Sequence, residues 1–181
     1  MIYVFLAKGF EEIEALAPVD CLRRAGKQVI TVGIGGKVVE GAHGIPVTAD
    51  ITEEEVVFDK TLEMVVLPGG MPGTLNLGQN ETVQKALQFA DEQGKWIAAI
   101  CAAPSVLGRA GLLKGKKAVV YPGFEREMGG AKISHDTLCV DGKIITAKGA
   151  GVAVEFGLKL VECLLGKEVR KSLAEKMICK K

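Results

Sequence analysis

The sequence predicts an α/β fold: a doubly wound, mostly parallel sheet with helices on its faces and β-hairpin insertions. Three observations carry this. Short apolar runs alternate with longer segments of helical period. The apolar runs are nearly continuous, as in strands covered on both faces. Two segments interrupt the alternation and read as antiparallel ribbon.

In chain order, Ile2 to Leu6 reads as the first buried strand. Glu11 to Ala25 is helical in composition, and Pro18 is expected to kink or restart that helix, because it lacks an N–H and its ring crowds the preceding turn. Val29 to Val32 is the second strand, and Lys37 to Val47 is a β-rich, glycine-punctuated ribbon. Met64 to Leu67 is the third strand. Val83, Ala86, Leu87 and Ala90 recur at i, i+3, i+4 and i+7, with Asn80 as cap and Gly94 as stop. Trp96 to Ile100 is the fourth strand. Thr137 to Thr146 has Asp141-Gly142 at its centre, a strong hairpin signal. Val154, Leu158, Val161 and Leu165 form a last amphipathic helix closed by Gly166. The basic tail (Arg170, Lys171, Lys176, Lys180, Lys181) reads as a solvated helix end.

No repeat, low-complexity stretch or linker divides the chain, so residues 1–181 are expected to form one domain. Hydrophobic residues make up 48% of the chain. A chain of this size can bury roughly 70% of its unfolded surface and needs no covalent staple. Twenty-three basic residues face 22 acidic ones, so charge gives no reason to expect nucleic acid or a membrane as partner. The apolar opening, Met1 to Leu6, runs at once into Lys8, Glu11, Glu12 and Glu14, too short and too acidic for a signal peptide. No apolar run approaches the ~18 residues of a membrane span. A cytoplasmic location is expected.

The five cysteines are Cys21, Cys101, Cys139, Cys163 and Cys179. An odd number without an export signal points to free thiols in a reducing compartment. None has the spacing of a zinc knuckle, and only His43 and His135 are available to complement them. No metal or organic cofactor is expected.

Ligands of open parallel sheets bind beyond the carboxyl ends of the strands. After the fourth strand comes Cys101-Ala102-Ala103-Pro104, which reads as a strand–turn–helix elbow: small residues permit the turn, and proline suits a helix's first turn. A helix N-terminus favours the thiolate, the nucleophilic form. The N–H groups of Ala102 and of the Gly69-Gly70 turn are candidates for an oxyanion site. Local sequence alone leaves Cys101 open between this role and that of a small buried apolar residue. Gly69-Gly70 lacks the Lys-Ser/Thr continuation of a phosphate loop, and Gly33-Ile34-Gly35-Gly36 leads into a ribbon where a dinucleotide site needs a helix. Glu11 and Glu12 read as surface residues favouring a helix dipole. Glu14, one turn further in, can face the carboxyl edge of the sheet. Beside Cys101 an ionised Glu14 would raise the thiol pKa, so it must be protonated to support a thiolate; burial favours that form. So held, it can donate to the sulfur and shuttle a proton.

Leu6-Ala7-Lys8-Gly9-Phe10-Glu11-Glu12-Ile13-Glu14, then Pro18-Val19-Asp20 and Arg23-Arg24-Ala25-Gly26, resembles the opening of the DJ-one/ThiJ/PfpI superfamily. Val66-Leu67-Pro68-Gly69-Gly70 and Ala98-Ala99-Ile100-Cys101-Ala102-Ala103-Pro104 are similar to its central motifs, and Lys148-Gly149-Ala150-Gly151 with Glu155-Phe156 to its late one. The match runs over nearly the whole chain. It is nearest the DJ-one and bacterial ThiJ-like branch, since Ala102 stands where the intracellular-protease branch carries histidine. The resemblance implies a flavodoxin-like three-layer sandwich that forms a homodimer with its site near the interface. It implies that Cys101 is an oxidation-sensitive nucleophile and Glu14 the carboxylic acid bonded to it. Gly70 and Ala102 become the anion-site donors, and Arg24 an arginine near site and interface. Two departures stand out. Tyr121 replaces the histidine of glyoxalase- or deglycase-type relatives, and a phenol is a poor proton relay at neutral pH. His43 replaces a second interface arginine, and either reaches the pocket mouth or is an exposed ribbon residue.

Two functions are expected from this. One is a cysteine-dependent enzyme acting on reactive dicarbonyls, or their protein adducts, without glutathione. The other is a redox sensor or chaperone-like protective protein whose cysteine is oxidised to the sulfinic acid with little turnover.

Overall fold

The structure, a computed structural model, describes residues 1–179. The strands in chain order are β1 (Ile2–Leu6), β2 (Val29–Gly33), β3 (Val38–Glu40), β4 (Pro46–Thr48), β5 (Ile51–Thr52), β6 (Met64–Leu67), β7 (Trp96–Ile100), β8 (Lys117–Ala118), β9 (Lys132–Ile133), β10 (Leu138–Asp141) and β11 (Ile144–Ala147). The helices are α1 (Glu12–Arg24), α2 (Gly73–Gln79), α3 (Glu81–Glu92), α4 (Pro104–Arg109), α5 (Ala153–Leu165) and α6 (Lys167–Lys176).

Seven strands form the central sheet in the order β10-β11-β7-β6-β1-β2-β5. All neighbours are parallel except β10 and β11. The continuous apolar runs have a direct cause, because successive side chains point to opposite faces and both faces are covered. Ile2, Val4, Leu6, Met64, Val66, Ala98 and Ile100 pack with α1, α5 and Leu173 of α6. Tyr3, Phe5, Val65, Leu67, Ile97 and Ala99 pack on the other face with α2, α3 and α4. The result is the expected three-layer, flavodoxin-like arrangement. The chain passes from β1 to β2 on one side and then to β6 on the other, so the loops after β1 and β6 diverge and open a crevice at the carboxyl edge.

Local signals place several elements well. The Asn80 side chain caps α3 by accepting the Val83 N–H at 3.0 Å, and Gly94 adopts φ +60° just past its end. Pro104 opens α4 at its first position. The ribbon forms as β3 against β4.

Two expectations need correction. Helix α1 runs through Pro18 as one 13-residue element with no restart. It is held by packing against α5 at Gly157, where a Cβ would come within 2.9 Å of Cys21 Sγ and 3.0 Å of Pro18 Cα. Burial of this face offsets the lost hydrogen bond, which costs about 3 kcal/mol in an isolated helix. The hairpin turn lies one residue later than Asp141-Gly142. Asp141 pairs with Ile144, leaving Gly142-Lys143 as the loop, with Gly142 at φ +60° as a type II′ turn requires. Asp141 stays in the strand, where its carboxylate accepts the Lys117 N–H at 2.7 Å. In the basic tail Lys171 and Lys176 are exposed on α6, while Lys180 and Lys181 lie outside the described residues. Among the described residues no helix is long and apolar enough to cross a membrane.

Candidate active site

Cys101 stands immediately after β7 with φ +63°, the left-handed region that a residue with a Cβ seldom enters. Such a conformation costs roughly 1–3 kcal/mol and persists only where its surroundings over-determine it. Here they do. The Cys101 N–H donates to the Ala147 carbonyl at 2.9 Å, carrying the β7–β11 pairing one residue further. Its carbonyl, turned aside by the positive φ, accepts the Tyr121 N–H at 2.8 Å. The expected elbow is present.

Glu14 reaches the thiol from the first turn of α1. The Glu11 side chain caps that helix, accepting the Glu14 N–H at 2.7 Å, and so fixes the turn that carries the carboxyl. Glu14 is 1% exposed and its carboxyl stands beside Cys101, since Glu14 Oε2 and Cys101 Cβ both lie 2.6 Å from where a Cβ on Gly69 would be. Its Oε2 accepts the Gly69 N–H at 3.0 Å. Only glycine fits at position 69, because a Cβ there would lie 2.6 Å from both Cys101 Cβ and Glu14 Oε2. The N–H groups of Ala102 and Gly70 lie near enough to the Cys101 sulfur to lower its pKa. Gly70 sits at φ +88°, with Glu11 N and Gly9 O closing around it.

Burial raises the Glu14 pKa to about 7, with the charge of Glu11 adding to it, while the bonds from Cys101, Gly69 and Ala150 pull it back. Burial, then the charge of Glu14 and its hydrogen bond, push the Cys101 thiol up to about 12, against the pull of the Ala102 and Gly70 N–H groups. The elbow donors therefore do not yield a thiolate on their own, contrary to the simplest expectation for a thiol at a helix start. The two groups form a unit that sheds its protons one at a time. The first proton leaves at about pH 7, and above that the pair holds one proton and one negative charge.

The remaining candidates divide. Tyr121 is at the site: besides bonding Cys101 through its N–H, it is half-exposed, with its ring beside Gly149. A Cβ on that glycine would lie 3.5 Å from Tyr121 Cδ2 and 4.0 Å from Glu14 Oε1. His43 is not paired with the thiol. Its ring Nδ1 lies 2.7 Å from Glu12 Oε2, its N–H donates to Glu12 Oε1 at 2.8 Å, and its side chain is 68% exposed. This corrects the reading of Glu12 as a surface residue: it is 5% exposed beneath the ribbon. Burial pushes the Glu12 carboxyl up, but its bonds from His43 outweigh burial and the net shift is downward. The same bond raises the His43 pKa. Ligand atoms of Glu11, Glu12 and His43 lie within 4.8 Å of one another, but these carboxylates already serve as helix cap and histidine partner. Arg24 is not brought to the thiol within the chain. It pairs with Asp20 at 2.6 Å on the last turn of α1, ten residues beyond Glu14, about 15 Å along the helix. His135 is exposed.

Two contributions escaped local motif reasoning: the Gly69 N–H on Glu14 and the Tyr121 N–H on Cys101. Both are backbone donors, which sequence marks only indirectly. A concavity of about 850 Å³ between α5 and α6, lined by Val154, Leu158, Arg170 and Ala174 among others, contains neither Cys101 nor Glu14. Convergent chemistry, and not volume, identifies the site.

Residues 1–163 match the model of the DJ-1/PfpI family. The chain is 37% identical over 178 residues to protein dj-1beta of Drosophila melanogaster, covering 97% of this chain and 95% of that one. It is 35% identical over 164 residues to a Caenorhabditis elegans protein named glutathione-independent glyoxalase DJR-1.2, covering 90% of this chain and 87% of the relative. Oxidized Toxoplasma gondii DJ-1 superposes with a TM-score of 0.93 at 38% identity, over 98% of this chain and 97% of that one. The chain with the Cys101–Glu14 pair at its carboxyl edge belongs to the DJ-1/PfpI family.

Proposed function

We propose that this chain converts reactive dicarbonyls of the methylglyoxal type to hydroxy acids without glutathione, using Cys101 as nucleophile and Glu14 as acid–base group. The observation that carries this reading is a buried carboxyl bonded to a strained, partly accessible thiol, with the Glu14 pKa at about 7, where a proton can be both given and taken.

The Cys101 thiolate adds to the aldehyde carbon while Glu14 gives its proton to the carbonyl oxygen, forming a hemithioacetal. The Glu14 carboxylate then removes the C1 proton, leaving an enediolate whose charge lies within reach of the Gly70 and Ala102 N–H groups. Reprotonation at C2 gives the lactyl thioester. Water hydrolyses it, releasing lactate and one proton and restoring the Cys101 thiolate and the protonated Glu14 carboxyl. The sum is one methylglyoxal and one water to one lactate and one proton, with no oxidant or reductant. Support from relatives comes from the glyoxalase name carried by the Caenorhabditis elegans protein.

A second reading, protection or sensing through oxidation of Cys101 by peroxide to the sulfinic acid, is favoured by Tyr121, since a phenol is a poor second proton relay at neutral pH. One assay separates the two. Purified protein freed of other glyoxalases is incubated with methylglyoxal and no glutathione, and lactate is counted per protein. Many lactates per chain are expected. A single stoichiometric adduct that stops there rejects the enzyme in favour of the second reading.

A further inference from the structure

The geometry points to Thr146 as a positioning residue for the Cys101 thiol, acting through the segment from Val119 to Tyr121. Thr146 is 1% exposed within a strand of otherwise apolar residues, Ile144, Ile145 and Ala147. It pairs in register with Ala99, two residues before the thiol. Along β11, Ile145 and Ala147 face the α1–α5 layer and Ile144 faces the other, so alternation sends the Thr146 side chain towards the layer of α2, α3 and α4. Segment 118–120 packs on that same layer.

The Thr146 hydroxyl adds nothing to the strand ladder. Its Oγ1 instead accepts the N–H of Val119, itself fully buried, at 3.0 Å. Two residues later the Tyr121 N–H meets the Cys101 carbonyl at 2.8 Å. Earlier anchors hold only the start of the segment. Asp141 accepts the Lys117 N–H, Cys139 Sγ bonds the Lys117 carbonyl at 3.3 Å, and the Ser134 N–H donates to Ala118 at 2.8 Å. Thr146 is the last anchor before Tyr121. A valine would suit a buried strand as well, but it would leave the Val119 N–H buried and unpaired. The segment would then withdraw, and the Tyr121 N–H with it. Cys101 would lose one of the two bonds that hold φ +63°, and its sulfur would drift from the Ala102 and Gly70 N–H groups.

The test reads the thiol directly. This inference rests on Cys101 being the reactive group of the proposed function but needs no dicarbonyl turnover, so absence of lactate and failure of this inference are separate results. Iodoacetamide alkylation of Cys101 is followed by peptide mass spectrometry against pH. Thr146→Val is expected to slow alkylation at pH 7 about tenfold and move the midpoint up by about one unit. Thr146→Ser, which keeps the acceptor, is expected to retain the wild-type profile. Leu87→Ala, a core truncation on α3, is expected to lower stability without moving the midpoint. If Thr146→Val does not fold, Thr146→Ala, which leaves room for a water on the Val119 N–H, is expected to shift the midpoint in the same direction by less. A wild-type profile in the variant that folds overturns the inference. So does an equal shift in Thr146→Ser or Leu87→Ala, since that is what general loosening of the core gives.

Discussion

Replacing Cys101 by alanine is expected to reduce glutathione-independent lactate formation by at least about 10³-fold, to the rate of methylglyoxal in buffer. Without sulfur there is no adduct, and the neighbouring groups have nothing to act on. The fold is expected to survive. The side chain loses one partly buried atom, while the Cys101 N–H and carbonyl keep Ala147 and Tyr121. Glu14→Gln is expected to cost about 10²–10⁴-fold by the same assay, since an amide neither gives nor takes the proton at neutral pH. The amide oxygen can keep the Gly69 N–H, so stability in urea unfolding is expected to change by less than about 1 kcal/mol. Full activity in Cys101→Ala would place the chemistry elsewhere in the molecule.

Gly69→Ala is expected to destroy the site without removing any reacting group. The added methyl would stand 2.6 Å from Cys101 Cβ, 2.6 Å from Glu14 Oε2 and 3.0 Å from the Ile100 carbonyl. None of these is the loose end of a flexible chain. Ile100 lies in a central strand, Cys101 is tied to β11 and Tyr121, and the buried Glu14 carboxyl is held by the Gly69 N–H. The carboxyl and the thiol must separate, with activity lost and about 1–3 kcal/mol of stability with it, as for overpacking elsewhere. Gly151→Ala is the matched control. Nothing lies within 4 Å of a Cβ there and its φ is ordinary, so stability is expected to change by less than about 0.5 kcal/mol. Wild-type activity in Gly69→Ala would show that the contact between thiol and carboxyl is dispensable.

How much of this was legible in the sequence depended on the range of the interaction concerned. The strands Ile2–Leu6, Met64–Leu67 and Trp96–Ile100 have the limits their apolar runs mark, because burial on both faces leaves no polar residue to blur the ends. Asn80 and Pro104 act through their own turns and were equally readable. Continuity of α1 through Pro18 was not, since what holds it is α5, some 140 residues away in the chain. The hairpin slipped by one residue for a similar reason: Asp141 answers the Lys117 N–H rather than its own turn. Helix α2 has two glycines in seven residues and no apolar period to announce it.

The site divides along the same line. Cys101, Glu14, Gly70 and Ala102 follow their strands at the carboxyl edge, and that placement was legible from the ends of the apolar runs. The pairing of His43 with Glu12 exists only because the ribbon folds onto the start of α1. Arg24 shows the reverse: its motif was readable, but the axis of α1 carries it away from the thiol. Tyr121 acts on Cys101 through an N–H that every residue but proline owns, so its identity gave no clue to that contact.

The account turns on Glu14 and Cys101 sharing a single negative charge that is available at sulfur. The most direct measurement is the alkylation rate of Cys101 in the wild-type protein, peptide by peptide, from pH 5 upward. Cys21, pushed up to about 11 by burial, and Cys139 and Cys163, also raised by burial, serve as internal references. Below the first ionisation both members of the pair are protonated and the thiol is inert; above it one charge is present and sulfur can bear it. The predicted profile therefore rises through about pH 7, where the pair loses its first proton, and levels off. A rate that shows no rise through neutrality would mean that Glu14 keeps the charge and the sulfur keeps its proton, and would contradict the account.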